Sequence, residues 1–291
     1  MKCFQRAKEV LDELYLQIPC LDESSKDLLI RDELEQLRES YQKLTNGIVI
    51  DYSSVATRFA YYYRYVPAHA SVVYQLLNRS DILANTFNQN SLSISCLGGG
   101  PGSEFWGMLR YREVSHRLTN IFCDIYDKEK IWSEFWNSSK VSKKVKTSKY
   151  LFPDFKYLDA LNDEYCGKYY NLCHADLFTM SFFLSEIPRI ETSMRFFETL
   201  LNNAKRGSIF LLIDNTKSGT QLWFDSLVQR HNRAYFKDHI ATLDQSDFVK
   251  FDVCESPNDR KEHLGIFYEK FHKTEQPRRN VPVVYRIYRK Q

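Results

Sequence analysis

The chain has 291 residues, of which 43% are apolar and 26% charged, and its formal net charge is +3. That balance excludes a largely disordered chain, and 10 Gly and 8 Pro exclude collagen-like and low-complexity classes. So small an excess of positive charge does not by itself point to nucleic acid.

Residues 1–90 read as an N-terminal helical extension, a candidate lid over whatever follows. Val10, Leu11, Leu14 and Leu16 recur among charges at helical spacing. A second helix fits Ser25 to Leu44, with Leu28, Leu29, Leu34 and Leu37 inward. A third runs from Tyr52 into Tyr61-Tyr62-Tyr63-Arg64-Tyr65 and breaks at Pro67, and a fourth spans Ala70 to Leu77. Aromatic residues make up 15% of the chain, and this tyrosine run either packs helix faces together or stacks on a planar or cationic ligand.

The pattern changes at Ser91, and residues 91–291 form the second predicted unit. The apolar run Ser91–Leu97 stops at a glycine-rich turn, and a helical pattern from Phe105 to Leu109 follows. The alternation continues with a strand at Asn120–Tyr126, a helix at Lys128–Trp136 and an exposed basic, Ser-rich loop over 138–149. Next come strands at Phe155–Leu158 and Asp176–Met180, a helix at Ile190–Ala204, a buried strand at Gly207–Ile213 and a helix at Gln221–Asn232. Phe248–Val253 and Val283–Tyr288 are strand-like with no helix predicted between them. The fold class is therefore α/β: a doubly wound, mostly parallel seven-stranded sheet with an antiparallel C-terminal hairpin, preceded by the helical extension.

The seven cysteines include no C-x-x-C pair, which argues against a structural zinc site or a secreted disulfide framework. The opening MKCFQRAKEVLDEL is charged and helical, unlike a signal peptide, and no apolar run approaches the ~20 residues of a membrane span. The expected setting is cytoplasmic or nuclear, with no metal, no membrane and no partner protein implied.

The strongest chemical signal is Gly98-Gly99-Gly100-Pro101-Gly102-Ser103-Glu104, at the carboxyl end of the first strand, where open α/β sheets bind ligands. Its amides and the following helix N-terminus suit a carboxylate or other polar group. The phosphate-loop pattern G-x-x-x-x-G-K-[ST] is absent, and G-x-G-x-x-G fails because Ser103 takes the third glycine's place, which counts against a nucleotide-linked oxidoreductase. G-x-G-x-G fits, as Gly98, Gly100 and Gly102.

This turn resembles motif I of the class I S-adenosylmethionine-dependent methyltransferases. The resemblance implies S-adenosyl-L-methionine as cofactor, bound by Gly98, Gly99, Gly100, Pro101 and Gly102. Cys96 stands where the family usually has an acid, a departure that leaves an inactive binding or regulatory module as the alternative. The resemblance also implies a ribose-binding acid at the end of the second strand; Asp127 is favoured and Asp124 is the fallback. Asp159, with Ala160, falls where the family places groups near the adenine, and Met180 and Ser181 fall at the end of the fourth strand, where they are expected to line the pocket.

The acceptor is less legible. The [DN]-P-P-[YF] signature of exocyclic-amine nucleic-acid methyltransferases is replaced by Met180-Ser181-Phe182-Phe183, and Cys173 lacks the context of a cytosine-carbon nucleophile. Ser185-Glu186 comes too late for the protein arginine methyltransferase pattern and reads as a turn before Pro188. His69, His174 and Glu186 are candidate bases, each with an ordinary structural reading, so no catalytic residue is assigned. The expectation is methyl transfer to an N, O or S nucleophile of RNA or a small molecule. RNA is suggested by Lys140–Lys149 and by Arg278, Arg279, Arg286, Arg289 and Lys290.

Overall fold

The computed structural model describes residues 3–20, 22–42, 50–116, 119–138, 151–162, 170–216, 219–235, 238–254, 256 and 258–291. The basic loop predicted over 138–149 lies outside the described residues apart from Ser138, as does Cys166.

The N-terminal segment is helical, as α1 (Cys3–Gln17), α2 (Glu23–Gln42), α3 (Val55–Arg64), α4 (Val66–Arg79) and the short α5 (Asp81–Thr86). The Ser54 hydroxyl caps α3 by accepting from the Ala56 amide at 3.2 Å. Pro67 does not simply end a helix: it occupies the first turn of α4, where its missing N–H costs nothing, so α4 begins before the predicted Ala70.

Strands and helices then alternate: β1 (Ser91–Leu97), α6 (Ser103–Val114), β2 (Asn120–Asp127), α7 (Ile131–Ser138), β3 (Leu151–Tyr157), α8 (Tyr170–Cys173) and β4 (Leu177–Ser181). After a 3₁₀ turn at Leu184–Glu186 come α9 (Glu191–Asn203), β5 (Ile209–Asn215), α10 (Thr220–Ala234), β6 (Ile240–Asp252), α11 (Asp259–Leu264), α12 (Ile266–Phe271) and β7 (Asn280–Lys290).

The seven strands form one sheet in the order β3-β2-β1-β4-β5-β7-β6. The first five are parallel, and β7 runs antiparallel to both β5 and β6. The strand order reverses between β1 and β4, so the ends of these two neighbours open a crevice there. Two short helices, α11 and α12, sit between β6 and β7, contrary to the prediction of none. Their apolar residues are few and close-spaced: Leu264, Phe267 and Phe271 reach the core.

Period-2 alternation divides the core between the two sheet faces. Ile94, Cys96, Ile125, Leu211 and Ile213 pack with the N-terminal helices, α6 and α7. Phe178, Met180, Phe210 and Leu212 pack on the other face with α9 and α10. The N-terminal helices thus share a continuous apolar core with the sheet, with α4 lying along α6.

Candidate functional site

The turn after β1 is set by left-handed backbone at Gly98, Gly100 and Gly102, with φ of 65°, 36° and 81°. At Gly102 two demands coincide. An added Cβ would come within 2.3 Å of the buried Trp136 ring, and the positive φ disfavours any side chain. Two tryptophans hold the turn from behind: Trp136 donates its indole N–H to the Gly100 carbonyl at 3.0 Å, and Trp106 donates to the Pro101 carbonyl at 3.1 Å. Their rings stack on each other at 5.8 Å.

Asp127, the last residue of β2, faces this turn. Its carboxylate accepts from the Gly100 amide at 2.9 Å and from the Glu129 amide at 2.8 Å. Burial pushes its pKa up to about 6 against the opposing pull of those two donors. Asp124 is committed elsewhere, accepting from Lys156 at 2.6 Å and from the Tyr126 hydroxyl at 3.2 Å. Beyond β3, Asp159 accepts from the Leu161 amide at 2.9 Å and stands between the buried Leu158 and Ala160.

The segment after β4 closes the opposite side. Phe182 has φ of 56°, rare for a bulky residue, and its ring stacks on the buried His69 at 3.7 Å. The Ser185 amide donates to Asp214 at 2.9 Å, which pins the 3₁₀ turn to the end of β5. Burial pushes the Asp214 carboxyl up to about 6. Glu186 projects from that turn and accepts from the Tyr41 hydroxyl at 3.3 Å; Tyr41 in turn lies 3.2 Å from the Tyr52 hydroxyl. Surrounding protein first, and then the charges of Asp127 and Asp214, push Glu186 up to about 8. Its side chain stays open to the pocket, whose water offsets part of that burial.

These pieces enclose one pocket of about 600 Å³. Of the residues the sequence singled out, the structure brings Gly98, Gly99, Gly100, Pro101, Asp127, Asp159, Ala160 and Ser181 together on its walls. Gly102 and Met180 are not on them. Gly102 is buried behind the turn as the left-handed cap of α6. Met180 is fully buried on the opposite sheet face with Phe178, because alternation turns it away from the pocket while Ser181 reaches it. Tyr61 also lines the pocket, whereas Tyr62, Tyr63 and Tyr65 are buried in packing and Arg64 pairs with Glu275.

Among the candidate bases, Glu186 alone lines the pocket. His69 is buried beneath Phe182, and burial pushes its pKa well down. His174 is exposed at the amino end of β4, away from the crevice. Sequence reasoning missed Glu104. It is fully buried in the first turn of α6, its pKa pushed up to about 8 by burial, with Ser103 donating to it at 3.0 Å and its Oε1 without a protein donor. An acid directly after the glycine turn was the available signal. It also missed Tyr52 and Trp132, which only the tertiary fold brings near the glycine turn, and Asp214, which holds the 3₁₀ turn. Cys96, in place of the family's usual acid, packs against Cys123 with sulfurs 3.5 Å apart. Among the described residues no cluster of His, Cys, Asp and Glu is arranged for a metal ion, and no helix is long and apolar enough to cross a membrane.

No protein-family model matches the sequence, and no curated protein matches it either. Solved structures do. An O-methyltransferase family protein from Burkholderia thailandensis aligns over 90% of this chain and 71% of its own, at 9% identity and a TM-score of 0.50. The plantazolicin methyltransferase BpumL, solved with S-adenosylhomocysteine, aligns over 98% of this chain and 99% of its own, at 13% identity and a TM-score of 0.40. A precorrin-6y C5,15-methyltransferase from Geobacter metallireducens aligns over 76% and 86%, at 10% identity and a TM-score of 0.41. The first of these likenesses, together with the strand order and the antiparallel β7, shows that the protein has the Rossmann-like fold of the class I S-adenosylmethionine-dependent methyltransferases.

Proposed function

We propose that the protein is an S-adenosylmethionine-dependent methyltransferase. One observation carries this reading: the Gly100 amide and the Asp127 carboxylate are locked together at the switch point of the sheet, on the wall of a pocket of ligand size. Two backbone donors hold Asp127 and leave further lone pairs for the paired hydroxyls of a ribose. Leu158 and Ala160 offer apolar walls for a purine, with Asp159 beside them for its amino group. The turn Gly98–Pro101 presents close backbone to the amino-acid end. The residues present therefore fit the group, and when bound it would supply an electrophilic methyl to a nucleophile's lone pair.

The chain's own contribution is placement. Holding the nucleophile in line supplies much of the rate in such a displacement, and a base is needed only for a protonated acceptor. The acceptor, RNA or a small molecule, would enter beyond β4, where the 3₁₀ turn and Tyr61 bound the pocket. Burial of Cys96 in place of an acid favours the second reading, a fold kept as a binding or regulatory module without turnover.

Calorimetric titration with S-adenosylmethionine, S-adenosylhomocysteine and NAD tests the proposal. Binding of the first two but not NAD is expected, with loss of that binding in Gly100→Arg. There the new side chain would start 3.1 Å from Trp132 Nε1 and 3.2 Å from Asp127 Oδ2. Absence of binding to either adenosyl compound by a folded wild-type chain refutes it. Binding without methyl transfer to any RNA or metabolite fraction favours the module.

A further inference from the structure

We propose that the part of the pocket beyond β4 is a subsite for an amine, in which Glu186 pairs with the substrate ammonium and takes its proton. This rests on the methyltransferase reading and names the acceptor class for it. Among the described residues Glu186 makes no ion pair, and its side chain is exposed to the pocket with one long contact, from the Tyr41 hydroxyl at 3.3 Å. With a pKa pushed up to about 8, Glu186 is mainly the acid in the free protein at pH 7, and an ammonium beside it would favour the carboxylate.

The surroundings select the same charge. The aromatic side chains of Tyr52, Tyr61 and Trp132 line the same pocket, Tyr52 meeting Tyr61 edge-on at 5.3 Å and Trp132 at a tilt at 5.5 Å. Burial raises the pKa of Tyr41, Tyr52 and Tyr61, which keeps these phenols neutral. Asp127 and Asp214 add negative potential at Glu186. Lys128 offsets part of that potential, and Lys128 and Arg189 also line the pocket, so the preference for a cation is local to Glu186. The loop is also held in place: the Glu186 amide donates to the Phe183 carbonyl at 3.0 Å and Ser185 is tied to Asp214.

The chemistry balances on the chain's own group. The ammonium R–NH₃⁺ gives a proton to the Glu186 carboxylate, leaving neutral R–NH₂ with its lone pair free, and the carboxylic acid later returns the proton to water. The surrounding protein first, and then the charges of Asp127 and Asp214, push the Glu186 pKa up to about 8, which suits it to hold that proton near neutral pH.

The test compares three probes with one body and different heads: 2-phenylethylamine, 2-phenylethanol and 3-phenylpropanoate. Each is titrated calorimetrically into protein saturated with S-adenosylhomocysteine, for wild type and Glu186→Gln. Wild type is expected to bind the amine about tenfold more tightly than the alcohol, as for one charge-assisted hydrogen bond, and the carboxylate least. In Glu186→Gln the amine preference should collapse while adenosylhomocysteine affinity is kept, which also reports that the variant is folded. Equal binding of amine and alcohol by wild type, no binding of the amine, or an amine preference that survives in Glu186→Gln overturns the subsite. Loss of adenosylhomocysteine binding in the variant overturns it too, by assigning Glu186 to the cofactor's own ammonium; Tyr41→Phe, which removes only the hydroxyl donor, then shows whether the pocket itself is intact. Failure of wild type to bind adenosylhomocysteine overturns the methyltransferase reading first and the acceptor assignment with it.

Discussion

Lowering the pH from 7 to 5 is expected to weaken adenosylhomocysteine binding about tenfold through Asp127 alone. On the proposed reading the ribose hydroxyls donate to Asp127, so the form that receives them is the carboxylate. With its pKa pushed up to about 6, that form is about nine-tenths populated at pH 7 and about one-tenth at pH 5. The sign differs from that of ordinary acid unfolding. A carboxyl raised in the fold disfavours the folded state above pH 6, and this cost fades as pH falls toward 4, the unfolded value. Asp127 therefore makes affinity fall while its own contribution to stability improves, and calorimetry beside thermal melts separates the two. Asp214, Glu186 and Glu104 titrate in the same neighbourhood, so Asp127→Asn is the control. It should bind weakly at pH 7, having lost a charged acceptor for the Gly100 and Glu129 amides, and should lose the Asp127 part of the pH dependence. A flat wild-type profile between pH 7 and 5, or the same slope in Asp127→Asn, would refute the role given to this carboxylate.

Gly102→Ala should destabilise the fold by about 2–5 kcal/mol, combining a left-handed alanine with a methyl driven into Trp136. A urea-derived loss under about 1 kcal/mol would contradict the packing described. Met180→Leu should cost less than about 1.5 kcal/mol and leave adenosylhomocysteine affinity within about twofold; a much larger affinity loss would return Met180 to the pocket wall. Arg286, whose side chain is 3% exposed, pairs with Asp225 at 3.3 Å and Asp247 at 2.6 Å. Because both acids keep some solvent, Arg286→Met should cost about 1–3 kcal/mol, read by the urea midpoint, and should leave ligand binding unchanged.

What the sequence revealed, and what it hid, divides along physical lines. Strands buried on both faces read clearly: Ile209–Ile213 is apolar throughout because helices cover both sides. Edge strands read poorly. β6 begins at Ile240, well before the predicted Phe248, because its exposed faces carry Asp244, Gln245 and Asp247 without a regular alternation, and register shifts interrupt its pairing. β3 begins at Leu151 and contains Pro153, which an edge strand tolerates and which masked its start. The glycine turn and Asp127 were legible because local geometry demands both: left-handed backbone at one strand end and an acceptor for its amide at the next. The other half of the pocket was not. Tyr52 and Trp132 come from separate elements with no local pattern to tie them together, and Glu186 was named only as one of three candidate bases, without its place on the wall. Met180 was misplaced for a smaller reason. A position at a strand end says which end of the sheet a residue occupies, and only parity says which face.

The way the turn is held connects fold to function. A glycine-rich loop is costly to order on binding, since glycine loses the most backbone freedom. Here that ordering is done by the fold before any ligand arrives. Trp136 and Trp106 fix two carbonyls from behind, Asp127 fixes the Gly100 amide from the front, and the Gly99 amide donates to the Tyr126 carbonyl at 3.1 Å. Both tryptophans lie in the core shared by the N-terminal helices, α6 and α7. The helical segment before β1 is thus part of what shapes the turn as well as the source of Tyr52 and Tyr61 on the pocket wall. A pocket shaped in this way spends little of its interaction energy on ordering and retains more for selecting its ligand.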